Sequence, residues 1–181
     1  MNKFLLIVIL CLSTTICKAQ KYYTRSGNTA FKGSKDAFEP VEATNKSTTV
    51  IFNTQTNEVV AQVFMAAFEF ENALMQEHFN ENYIESEVFP KGIFKGELES
   101  FSLQKHNVQD SFQLKGSLTI RAIEKPISTK VFIKNENDKI KVKASFWIKP
   151  EDFDINIPVI VKDKIASKIE ILLNYELHEK K

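Results

Sequence analysis

Between Phe68 and Pro90 the chain reads FEFENALMQEHFNENYIESEVFP, and within it His78, Glu81 and Glu85 stand at i, i+3 and i+7. On a helix that spacing falls on roughly one stripe, as an imidazole and two carboxylates converging on a metal would require. A tight transition-metal site needs three or four ligands. The other two histidines, His106 and His178, are placed by the pattern in a loop and in the extreme tail. A hydrolytic role for His78 would need a nucleophile instead. The chain has no G-x-S-x-G, and both cysteines, Cys11 and Cys17, lie in the N-terminal leader. Glutamates abound, but no spacing singles out two of them as an acid/base pair. The pattern is read as carrying no catalytic group, no metal and no other cofactor.

The same stretch fits a cover better. From Glu71 to Glu85 the pattern is helical, with Asn72 as its cap, and Leu74, Met75 and Phe79 on one face. Laid beside the open end of a barrel, that face would close the mouth. His78 would then satisfy backbone groups or meet the polar end of a ligand.

The elements that must hold such a cover are strands. FQLKGSLTIRA turns Phe112, Leu114, Gly116, Leu118 and Ile120 one way and Gln113, Lys115, Ser117, Thr119 and Arg121 the other. A period of two over this length means one buried and one wet face. IKVKASFWI puts Ile140, Val142, Ala144, Phe146 and Ile148 inward, and ISTKVFIK does so with Ile127, Thr129, Val131 and Ile133. IASKIEILLNYEL buries Ile165, Ile169, Ile171, Leu173, Tyr175 and Leu177. The turns Asn135–Lys139 and Asn53–Glu58 read as hairpins. TTVIFN and EVVAQVFMAAFEF flank the second of these, and TRSGNTAFKGS and AFEPVEATN are shorter candidates near the start. The sum is about eight strands with short turns and no βαβ alternation, an all-β antiparallel sheet closed into a barrel.

A barrel of about that size either fills with its own side chains or holds one small ligand. KGIFKGELE sets Gly92, Phe94, Gly96 and Leu98 on one face, and Gly116 is inward on its neighbour, out of only five glycines in the chain. Such glycines serve either as bends or as room for close approach. Trp147 falls on the outer face and is expected to pack under the turn PEDF; exposed, it would suit an interface.

The first nineteen residues have a basic start at Lys3, an apolar run from Phe4 to Leu12 and small residues up to Ala19, the pattern of a secretory signal. Cleavage is expected before Gln20, giving a signal at 1–19, a single domain at 20–181 and an exported, periplasmic or secreted product. Lipidation at Cys17 is disfavoured by the β-branched Ile16 before it. No long apolar run follows, so the processed chain has no expected membrane span. With 24 basic against 23 acidic residues and no polybasic cluster, nucleic acid is not an expected partner. A homodimer is compatible with the pattern.

FEFENALMQEHFNENYIESEVFPKGIFKG resembles the signature of the YceI-like lipid/polyisoprenoid-binding family. LKGSLTIRAIEKPI is similar to its Gly-x-Leu-Thr-Ile stretch, and IKPEDFDINIP to its Asp-Phe-x-Ile element. The likeness runs roughly from Thr48 to Leu177. Two departures, Ala122 and Asp154 where Gly is usual (or, at Asp154, a neutral residue), fall off the inward faces and bear on loop shape. The resemblance implies a lipocalin-like eight-stranded barrel enclosing a long-chain lipid of isoprenoid or fatty-acyl type, for transport or sequestration. The expected pocket is lined by Leu74, Met75, Phe79, Gly92, Phe94, Gly96, Leu98, Leu114, Gly116, Leu118 and Phe146. The alternative is a secreted interaction or structural module with a filled core.

Overall fold

Alternating side chains on successive strands leave each strand one apolar face, and a sheet of such strands can bury that face by curling on itself. The computed structural model describes residues 21–34, 40–102, 109–136 and 139–180, and shows this closure. The expected signal segment and His106 lie outside the described residues. The strands are β1 (Lys21–Ser34), β2 (Glu42–Asn53), β3 (Glu58–Phe64), β4 (Glu69–Phe70), β5 (Lys91–Glu99), β6 (Gln109–Ile120), β7 (Ile123–Glu136), β8 (Lys139–Ile148) and β9 (Ile165–Glu179). Their order is β1-β9-β8-β7-β6-β5-β3-β2, and β1 pairs again with β2, so eight strands form an antiparallel ring. The two-residue β4 is an appendage on the start of β2, pairing Phe70 with Ala43.

The first half differs in detail from the alternation reading. AFEPVEATN and TTVIFN contribute to one twelve-residue strand, β2. The inward positions of β1 and β2 include Gly27, Thr29, Asn45 and Thr48, whose size or polarity hides the apolar period. EVVAQVFMAAFEF is not one strand. It breaks after Phe64 into a single 3₁₀ turn, Met65–Ala67, which brings Met65 and Phe68 into the core. The cover is a helix, α1 (Ala73–His78), capped by Asn72, whose side chain accepts from Leu74 N (2.9 Å) and Met75 N (3.2 Å). It does not continue as an α-helix to Glu85. From Phe79 to Tyr83 it widens into a π turn, with Ile84 N donating to Phe79 O at 2.9 Å.

Two apolar clusters mark the two ends of the ring. One joins Phe52 at the end of β2 to Leu114 in the middle of β6 and Leu177 near the end of β9. The other joins Ala43 at the start of β2 to Ile120 at the end of β6, with Phe68, Ile84 and Phe153. The α1 segment lies at this second end, where Phe79 packs.

Candidate functional site

Between the two clusters the ring is hollow. A cavity of about 400 Å³ is bounded by side chains from all eight wall strands and from α1, a size within the roughly 300–1,000 Å³ usual for small-molecule sites. It reaches from Leu74 and Met75 on α1 to Ile133 and Leu177 at the far end. Its wall is overwhelmingly apolar, as the inward positions of alternating strands require.

Of the residues expected to line a pocket, Leu74, Met75, Phe79, Gly92, Phe94, Leu98, Leu114, Leu118 and Phe146 stand on this wall, and so does His78. Leu74 is at the rim, with 56% of its surface exposed, and His78 is exposed beside it. Gly96 and Gly116 do not line the cavity, which corrects the expectation for both. They are cross-strand partners on β5 and β6. A Cβ on Gly96 would lie 2.7 Å from Phe94 Cζ and 2.9 Å from Gly116 Cα, and would strike the carbonyl of Lys115. The pair is a bare patch of backbone on which the Phe94 ring rests, so the space it frees is already taken.

The mouth is narrowed by aromatic contact. Phe31, Phe68, Phe70 and Phe79 all border the cavity, and their rings lie 5.1–5.7 Å apart across Phe31–Phe79, Phe68–Phe79 and Phe70–Phe79. These separations are those of favourable ring pairs. Gln76 ties the helix to β4 by accepting from Phe70 N at 3.2 Å. Arg121 anchors the segment on the C-terminal side of the helix. Its guanidinium donates to Tyr83 O (3.1 Å), Glu85 Oε1 (2.9 Å) and Asp154 O (2.7 Å), and stands 5.5 Å from the centre of the Phe89 ring. Glu85 is thereby committed to Arg121, and the His78–Glu81–Glu85 stripe is broken. Among the described residues, no three His, Cys, Asp or Glu side chains are placed to hold a metal ion.

Besides Thr129, which donates to Ser145 O at 3.0 Å, a cluster of hydroxyls lies inside. Thr29 Oγ1 is 2.8 Å from Thr48 Oγ1 and 2.8 Å from the Tyr175 hydroxyl, and all three residues are buried and border the cavity. Burial pushes the Tyr175 hydroxyl pKa up to about 12, against the smaller opposing effect of the bond from Thr29, so it stays protonated. Gly27 makes this possible, since a Cβ there would come within 2.7 Å of Tyr175 Cδ1. The alternation of β9 already marked Tyr175 as inward. Thr29 and Thr48 give no such signal, because only the pairing of β1 with β2 and β9 brings them beside it.

A closed antiparallel ring of eight strands, hollow, apolar and covered by one short helix, defines a lipocalin-like container. The family is shown by sequence: the YceI-like domain model matches residues 21–177, and the chain belongs to that family. No curated protein sequence matches it significantly. Among solved structures it is similar to a polyisoprenoid-binding domain from Saccharophagus degradans, implicated in plant cell wall breakdown. That match has a TM-score of 0.74 at 9% identity, covering 90% of this chain and 99% of that one. It is similar also to BcnA of Burkholderia cenocepacia (TM-score 0.66, 14% identity, 83% and 95% covered). A third match is the YCEI protein of Campylobacter jejuni (TM-score 0.59, 19% identity, 75% and 81% covered).

Proposed function

We propose that this protein is an exported carrier that encloses one long-chain apolar lipid, of isoprenoid or fatty-acyl type, in its barrel, and that it catalyses no reaction. The observation that carries the reading is the apolar cavity running from α1 to the far end of the ring. The polyisoprenoid-binding domain with the same fold supports the chemical class. Each CH₂ buried in such a cavity gains roughly 0.8 kcal/mol, so a sixteen-carbon chain gains about 12 kcal/mol gross against an association cost of about 4–15 kcal/mol. Chain burial therefore sets affinity, and single polar contacts, at about 1 kcal/mol each, set orientation.

Native mass spectrometry of the purified protein tests the reading. The expected spectrum is a chain beginning at Gln20 plus the mass of one lipid. A diacylated Cys17 or a retained leader overturns export of a free chain, and protein that stays empty when offered long-chain lipids overturns the carrier. One observation favours a second reading, a module that docks partners on its surface. Trp147 does not pack under the Pro150–Phe153 turn as expected but is 58% exposed on the outer face. Empty protein with a stable co-purifying partner would select that reading.

A further inference from the structure

The Thr29–Thr48–Tyr175 group contains three hydroxyls and therefore three hydroxyl hydrogens. Two contacts join them in a line, with Thr29 at the centre. Each contact uses one hydrogen. Whichever way the bonds run, one hydrogen is left over, and no other side-chain hydrogen bond is made by these three residues among the described ones. All three are more than nine-tenths buried, and all three face the cavity. A buried donor without an acceptor is costly, so such groups are nearly always met by a partner.

The position of the group matters as much as its chemistry. Tyr175 belongs to the apolar cluster away from α1, but its hydroxyl meets Thr29, two residues from the Phe31 ring that stacks on Phe79 at the α1 mouth, so the group lies part-way along the ring. Among the described residues that border the cavity, Lys164 is the one side chain with a full charge at neutral pH, and it precedes β9 at the α1 end of the ring. Burying a carboxylate or phosphate there against a single neutral donor would be unfavourable. A neutral oxygen has no such penalty.

We infer that the Thr29–Thr48–Tyr175 hydroxyls form a subsite for a neutral oxygen acceptor, a ketone, quinone, ester or alcohol oxygen, part-way along the cavity. The inference rests on the carrier reading and adds to it one polar contact within an overwhelmingly apolar wall. Tyr175 remains a donor across the physiological range because burial keeps it protonated.

The test compares methyl pentadecyl ketone with heptadecane, two chains of equal length, by competition against a fluorescent long-chain probe. The intact barrel should bind the ketone about threefold to tenfold more tightly, the worth of one net hydrogen bond. Single substitutions are uninformative: without Thr48 or Tyr175 one hydrogen is still left over, and without the central Thr29 two are. The triple variant Thr29→Val, Thr48→Val, Tyr175→Phe removes every hydroxyl at nearly constant volume. It should bind heptadecane as before and lose the preference for the ketone. A preference that survives in the triple variant, or is absent from the wild type, overturns the subsite. Failure of both probes to bind the wild type overturns the carrier reading itself. A second measurement needs no variant: the infrared stretch of an isotope-labelled ketone carbonyl should fall on binding to a hydrogen-bonded frequency. A bound carbonyl at its alkane-solution frequency overturns the inference.

Discussion

Phe79 meets three other rings, Phe31, Phe68 and Phe70, and borders the cavity with its remaining face. Truncating a large aromatic costs about 3–5 kcal/mol in a packed core and less at a partly open mouth. Phe79→Ala should therefore leave a folded barrel that releases a fluorescent lipid at least about tenfold faster, the equivalent of about 1.4 kcal/mol. An unchanged release rate in stopped flow would separate the helix from retention. Gly96 leads to a different expectation. Because its Cβ would strike the Lys115 carbonyl and the Gly116 backbone, Gly96→Leu should destabilise the β5–β6 pairing by about 1–3 kcal/mol or more, read as a lower denaturant midpoint, and should not leave a stable barrel with a smaller cavity. The alternation of β5 showed that Gly96 points inward, but not that Phe94 folds back over it. Ring placement depends on the facing strand, and a single strand's period carries no information about that.

At the level of elements, the β6–β7 connection places Arg121 and Ala122 at φ of 49° and 60°. A two-residue turn of this hand needs positive φ at both positions, which suits Gly or Asn and disfavours Ala. Ala122→Gly should accordingly raise stability by about 0.5–1 kcal/mol, after the entropic cost of glycine, and leave lipid affinity unchanged in a titration. The β7–β8 hairpin has a charge lock instead. Lys134 and Lys141 both bond the Glu136 carboxylate, holding its pKa down from 4.5 to about 2, chiefly through these hydrogen bonds. A depressed carboxylate stabilises the fold fully above its unfolded pKa and loses that contribution as pH falls through its folded one. The small Tm advantage of wild type over Glu136→Gln should thus be present at neutral pH, shrink from about pH 4.5 and vanish near pH 2; an advantage constant across that range would exclude the lock. The hairpins of the second half were legible because their inward residues are large and apolar. The shortened α1 was not, since a π turn at Phe79–Tyr83 keeps the same composition as an α-helix and differs only in which carbonyl Ile84 N finds.

For the whole molecule, the wall is apolar over its full length and the interior is finite. Affinity for straight-chain alcohols should climb about fourfold per added CH₂, the equivalent of roughly 0.8 kcal/mol, and then flatten once the chain fills the space. Isothermal titration across a length series checks this, and a flat series from the shortest chain onward would mean that the cavity is not the binding site. The ring itself was readable from strand count and the lack of helices between strands. Whether it was hollow was not, because packing a core and lining a cavity use the same inward residues. The difference lies in how far opposite walls stand apart, which is set by the closure of all eight strands together.

That closure depends on β1, which pairs with β2 on one side and with β9 on the other, Tyr22 facing both Phe52 and Glu179. The first seam joins neighbours along the chain, whereas the second joins the beginning of the barrel to its last strand. Contacts of such long range form slowly, since the loop between them must be ordered before it is rewarded. Until residues 165–179 are available, β1 and β8 are both bare edges and the sheet is an open arc with its apolar face to water. A half-made chain therefore has no interior, whatever local hairpins it has formed. β9 acts as the latch: any cargo held by this protein is acquired only after synthesis has reached that strand, and a chain still threading out of a ribosome has nothing to carry it in.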